Sequence, residues 1–145
     1  MELDLDRIRS KSAYISEQVS EIRELLTRKT KEEILADPWL LKGIKYSLQT
    51  AIEAMIDLAY HLAAKRYSSA PTDARDALRI LLEHGVFPLE EYQTYTAMVG
   101  FRNRIVHGYQ QVTPERVYSI AAEELGDFER FLGRIRNVVA SEAAE

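Results

Sequence analysis

Cysteine is absent from this chain of 145 residues, which excludes a disulfide framework and thiolate metal sites and gives no sign of an oxidising compartment. Glycine and proline are scarce, six and four, so little turn material exists for a many-stranded sheet. No run of about 18 uninterrupted apolar residues is present, and nothing is expected to span a membrane. The acidic start, Met1 to Asp6, lacks the basic stretch and apolar core of a signal peptide; the expected location is cytoplasmic. An excess of positive charge is missing too. A net charge of −4 argues against a protein that coats nucleic acid by bulk electrostatics, which needs clustered Lys and Arg. A small local phosphate site is still compatible with it.

What remains is a helix former's vocabulary. Leu, Ala, Glu, Arg and Ile dominate, 46% of residues are hydrophobic and 29% charged, the balance of one globular domain over residues 1–145. Five main helical segments follow from periodicity. The first runs from about Asp4 to Arg28 on Leu5, Ile8, Ile15, Val19, Ile22 and Leu26. Thr30-Lys31-Glu32-Glu33 has the form of a capping box and opens a short helical turn. Asp37-Pro38 then starts a second long helix along Leu41, Ile44, Leu48, Ala51, Met55, Leu58 and Leu62. A second stripe on it, Ile52, Ile56, Ala59 and Ala63, asks for two surfaces to bury, one inside the domain and one against another subunit. A short helix follows from about Asp73 to His84, then a fourth from Pro88 to His107, stopped by Gly108. Thr113-Pro114-Glu115 opens the fifth, read as continuous through Val117, Ala121, Leu125, Phe128, Leu132, Ile135 and Val139. The fold class is therefore all-α, a bundle of four to five helices.

The chemistry concentrates in Phe101-Arg102-Asn103-Arg104-Ile105-Val106-His107-Gly108-Tyr109, which carries two arginines, no acid and one of the three histidines. Arg102 interrupts a line formed by Tyr95, Val99 and Val106, and a buried arginine calls for an anion or a carboxylate. Asn103 and His107 are four apart, on one side of the helix. Arg102 and His107 are about 140° apart at 100° per residue. Either the arginine wraps across, or a symmetry-related copy supplies the missing half. An imidazole can take the 2′-hydroxyl proton of RNA or give one to the leaving oxygen. A guanidinium can hold the non-bridging phosphate oxygens as charge builds. Carbonyls exposed at the helix end favour protonated His107. The plain alternative is capping, since His84-Gly85 repeats the His-Gly pair with no site around it.

Written as Arg-Asn-x-x-x-His-x-Tyr, residues Arg102 to Tyr109 resemble the signature of the HepT-like toxins of the HEPN superfamily, and the likeness extends over most of the chain. The resemblance implies a HEPN-type bundle forming a homodimer. It also implies metal-independent endoribonuclease activity on an RNA substrate, with no cofactor, in a cleft where two motifs meet. Arg102 and His107 would be catalytic and Asn103 supporting. The partner it implies is an MNT-type nucleotidyltransferase antitoxin that silences the toxin by AMPylation of Tyr109. A reading of a different class is a non-catalytic nucleotide- or partner-binding subunit of a nucleotidyltransferase complex, with Arg102 as anion anchor. A purely structural dimerisation module is the third.

Other residues draw plainer expectations. Asp57 and His61, four apart on the second helix, read as a structural pair or interface contact. Trp39, beside Leu40 and Leu41, reads as a core anchor, and Tyr92 and Tyr95 as core or interface packing. Arg7, Arg9, Lys11 and Glu17 read as a solvated face. His61, His84 and His107 sit on three different elements, so no metal-ligand spacing is present.

Overall fold

Local chemistry sets the helix starts in the computed structural model, which describes residues 2–108 and 112–145. Asp4 caps α1 (Leu5–Arg28) by accepting the Arg7 N–H. Thr30 and Glu33 form a reciprocal capping box on the short α2 (Lys31–Leu35). The Asp37 carboxylate accepts the N–H groups of Trp39 and Leu40 at the head of α3 (Pro38–Lys65). Asp73 caps α4 (Ala74–Glu83) through the Asp76 N–H. Pro88 leads into α5 (Leu89–His107), which ends on Gly108 in the left-handed region. Thr113 caps α6 (Pro114–Glu123), and α7 (Gly126–Ala143) closes the described chain. No strand occurs among the described residues.

The last helix differs from its expected form. It is two helices, α6 and α7, separated at Glu124 and Leu125. Glu124 leaves the helical region with φ −117° and ψ 6°, and its carboxylate is held 2.6 Å from Arg116. The apolar seam keeps its three- and four-residue steps across the break, through Ala121, Leu125 and Phe128, which is why periodicity conceals it. Gly126, costly inside a helix by about 1 kcal/mol, is the local signal of the break.

The longest helix, α3, is central and packs against α1, α2, α4, α5 and α6. Both of its apolar stripes are largely consumed inside the chain: Ile52, Ala59 and Ala63 are buried, and Ile56 is half-buried. The expected second apolar surface on those residues is therefore not free. What α3 leaves in water is Trp39, 77% exposed, and Tyr46, 64% exposed. Trp39 is thus not a core anchor. It stands off the Ile44–Leu48–Ala51 line, and the Lys42 ammonium lies 4.4 Å from its ring centre.

Around α5 the core is aromatic. Tyr95 is fully buried and packs edge-on against Phe87 and Phe131, each at 5.1 Å between ring centres. Its hydroxyl donates to Glu91 at 2.9 Å. Arg134 of α7 grips the same carboxylate at 3.0 and 2.6 Å. This buried polar clamp holds the first half of α5 against α7 and fixes the rotation of α5, and so the direction of every side chain at its far end.

Candidate functional site

Arg102 points from α5 toward α3, where its Nε and Nη2 donate to the same oxygen of Glu53 at 3.0 and 2.8 Å. Its Nη1 donates to Asn103 Oδ1 at 3.1 Å. Of the two partners expected for a buried arginine, an anion or a carboxylate, the carboxylate is therefore present, and Asn103 supports the guanidinium. Three of the five N–H donors are engaged. The other two, one on each terminal nitrogen, have no partner among the described residues.

This guanidinium borders an open cleft of about 540 Å³ between α3, the start of α4 and α5. Glu53, Asp57 and Tyr60 line one wall, Thr72, Asp73 and Arg75 another, and Arg102 with Asn103 a third. Its acids are already engaged. Glu53 holds Arg102, Asp57 accepts from Lys11 of α1 at 2.8 Å, and Asp73 caps α4.

His107 occupies the last position of α5 and is exposed. It is not among the described residues that line the Arg102 cleft. Within one chain the structure joins Arg102 with Asn103 and holds His107 one turn beyond Asn103, at the helix end. Tyr109 lies outside the described residues.

Asp57 and His61 are structural, though not as a pair with each other. Asp57 binds Lys11, which takes that lysine out of the solvated face. Buried His61 accepts the Asp4 N–H at Nε2, 2.9 Å away. Burial and the nearby Arg7 charge push its pKa below the ordinary histidine range. His84 behaves as the capping reading requires, with Nδ1 2.9 Å from the Ile80 carbonyl and its ring stacked on Tyr67 at 4.2 Å. Among the described residues no group of three His, Cys, Asp or Glu side chains stands ready to hold a metal ion.

Sequence reasoning missed Glu53 and Arg75. Glu53 was detectable in principle, as an acid set between Ile52 and Ala54 in the most apolar helix. Arg75 carries no such mark, because only the packing of α4 on α5 brings it to the cleft.

A helical bundle whose α5 ends in Arg102-Asn103-x-x-x-His107 beside an open polar cleft defines a protein of the HEPN class. Comparison with known proteins narrows this. Residues 15–135 match the family model described as Ribonuclease HepT-like. The chain is 30% identical over 97 residues, 67% of its length, to the mRNA nuclease HepT of Shewanella oneidensis, of which 73% is covered. A relative from Archaeoglobus fulgidus is 30% identical over 134 residues, 92% of this chain and 94% of its own. A solved structure of the tri-AMPylated Shewanella oneidensis HEPN toxin in complex with its MNT antitoxin superposes with a TM-score of 0.84. It is 27% identical and covers 94% of this chain and 99% of that one. The chain belongs to the HepT-like ribonuclease family.

Proposed function

We propose that this protein is a metal-independent endoribonuclease toxin whose active cleft is shared by two copies of the chain, and that a nucleotidyltransferase antitoxin silences it by AMPylating Tyr109. The observation that carries the reading is Arg102, locked in orientation by Glu53 and Asn103 yet keeping two N–H groups at the edge of an open cleft. A guanidinium so held meets a phosphate without reorganising, which is the condition for stabilising charge in a transition state.

In the proposed reaction the 2′-hydroxyl oxygen attacks the adjacent phosphorus and the 5′-oxygen leaves, giving a 2′,3′-cyclic phosphate. Arg102 holds the non-bridging oxygens as their charge grows. His107 takes the 2′-hydroxyl proton or hands one to the departing oxygen. The homodimer is proposed because His107 stands apart from the Arg102 cleft of its own chain. The exposed Trp39 and Tyr46 support it: they fall seven residues apart on α3, on the same line as Glu53. A copy seated on those rings lies next to the cleft. The solved neighbour is an AMPylated toxin bound to an MNT antitoxin, and that likeness supports the same partner here. Tyr109 oxygen would attack the α-phosphorus of ATP and expel pyrophosphate, and the added phosphate would repel RNA from the cleft.

Cleavage of RNA in EDTA by wild type, Arg102→Ala and His107→Ala tests the activity. Loss in both variants is expected, and folded variants that cut as well as wild type refute the reading. A wild type that binds nucleotide and never cuts favours the non-catalytic binding subunit. Mixing the two inactive variants tests the shared cleft, since activity returns only if the two groups come from different subunits. Mass added in AMP steps by the transferase and ATP on wild type, absent on Tyr109→Phe, tests the modification.

A further inference from the structure

Gly100 lies on α5 one turn before Arg104, and a side chain there would crowd an arginine from another helix. A Cβ placed at Gly100 would meet Arg75 Nη2 at 3.2 Å and Arg104 Nη1 at 3.8 Å. Two guanidinium groups, one from α4 and one from α5, therefore converge on one point of the motif helix, and the missing side chain leaves room for the nearer one, Arg75.

Neither arginine has a hydrogen-bond or ion-pair partner among the described residues, whereas most arginines of this chain hold a carboxylate. Both side chains are exposed. The acids that line the adjoining cleft are engaged elsewhere: Glu53 with Arg102, Asp57 with Lys11, and Asp73 with the α4 backbone. Two like charges drawn to one spot repel, and an anion between them reverses the sign of that interaction. Position adds direction. Gly100, Asn103, Arg104 and His107 stand at i, i+3, i+4 and i+7, so they share one side of α5. Arg75 borders the cleft that also holds Arg102 and Asn103. The paired arginines thus sit at the mouth of that cleft, in line with the histidine.

We infer that Arg75 and Arg104 form a second phosphate subsite, which grips the RNA phosphodiester next to the one being cut. The inference rests on the ribonuclease reading for its substrate. Arg102 would stabilise the reacting phosphate, and the Arg75–Arg104 pair would hold the neighbouring one and set the strand's path along α5 toward His107. A protein with net charge −4 gains little from bulk attraction of RNA, so local pairs of this kind must supply its grip.

The test uses a 2′-O-methyl oligoribonucleotide, which cannot be cut, with binding followed by fluorescence anisotropy across a salt series. Wild type, Arg75→Ala, Arg104→Ala, the double variant, Arg75→Lys and Gly100→Val are compared. Each alanine is expected to weaken binding several-fold, and the double variant to lower the slope of log K against log salt by about 0.7, one phosphate contact on a single strand. Arg75→Lys retains most of the affinity. Gly100→Val, with both arginines present, weakens binding as the alanines do. With unmodified RNA, the alanine variants raise KM more than they lower kcat.

A double variant with wild-type affinity and salt slope overturns the subsite. So does a double variant that binds RNA normally and loses the antitoxin instead, which would assign the arginines to that protein. If wild type binds the oligonucleotide and never cleaves RNA, the ribonuclease reading fails, while the slopes still decide the subsite. A wild type with no affinity for the oligonucleotide overturns both.

Discussion

Replacing Arg102 by alanine should separate activity from stability. Glu53 and Asn103 engage three of the guanidinium N–H groups and leave two for substrate. A hydrogen bond between charged groups contributes about 1.5–3 kcal/mol, so two are worth about 3–6 kcal/mol. If they act in the transition state, kcat/KM falls roughly 100-fold to 10,000-fold. The stability cost is far smaller. Arg102 and Glu53 side chains are 28% and 34% exposed, and pairs that wet contribute about 0–1 kcal/mol. Once alone, Glu53 is hydrated from the cleft. The thermal midpoint should therefore drop by no more than about 4 °C. Arg102→Lys keeps the charge and loses the planar fork, so an intermediate activity is expected. The assay pairs cleavage of a fluorophore–quencher RNA in EDTA with thermal unfolding followed by circular dichroism. A folded Arg102→Ala protein within about threefold of wild-type kcat/KM refutes the reasoning. A variant that unfolds outright refutes the claim that the Glu53 pair contributes little.

Three further outcomes follow from the packing. Arg134→Met leaves the Glu91 carboxylate, with a side chain only 10% exposed, supported by Tyr95 alone, and should cost about 2–4 kcal/mol in urea unfolding. The Arg134 hydrogen bonds hold the Glu91 pKa below the ordinary carboxylate value, so this stabilisation is complete above about pH 4.3 and fades as pH falls further. The gap between variant and wild type should close in acid, and a gap independent of pH contradicts the assignment. Burial depresses the His61 pKa, so the unfolded chain takes up a proton first. Its contribution is complete above about pH 6.5 and declines as pH falls toward the depressed folded value. Unfolding of His61→Gln should lose that pH dependence between 7.5 and 5, and an unchanged profile counts against it. Gly108→Ala, at φ 66°, should cost about 1 kcal/mol by strain and loosen the end of α5. RNA cleavage should then fall more than the unfolding midpoint suggests, and full activity would show that the αL stop does not position His107.

Helix positions were legible from residues alone, because caps and apolar period are local. Asp37-Pro38, Thr30 with Glu33, and Thr113-Pro114 each mark a helix start through hydrogen bonds within four residues. The α6–α7 break was hidden, since the core seam keeps its phase across it. Trp39 misled for the reverse reason: apolar neighbours in sequence do not decide which side of a helix meets the core.

The same division runs through the site. The sequence by itself determined that Arg102, Asn103 and His107 lie on the last turns of one helix, closed by Gly108, because four to six residues of helix fix their angles. It also called for an anion or a carboxylate beside Arg102 without saying which. Only the tertiary structure chose Glu53, 49 residues away, and brought Arg75 over Gly100. Those contacts depend on how α3, α4 and α5 pack, and packing is decided by the whole core rather than by any segment of it.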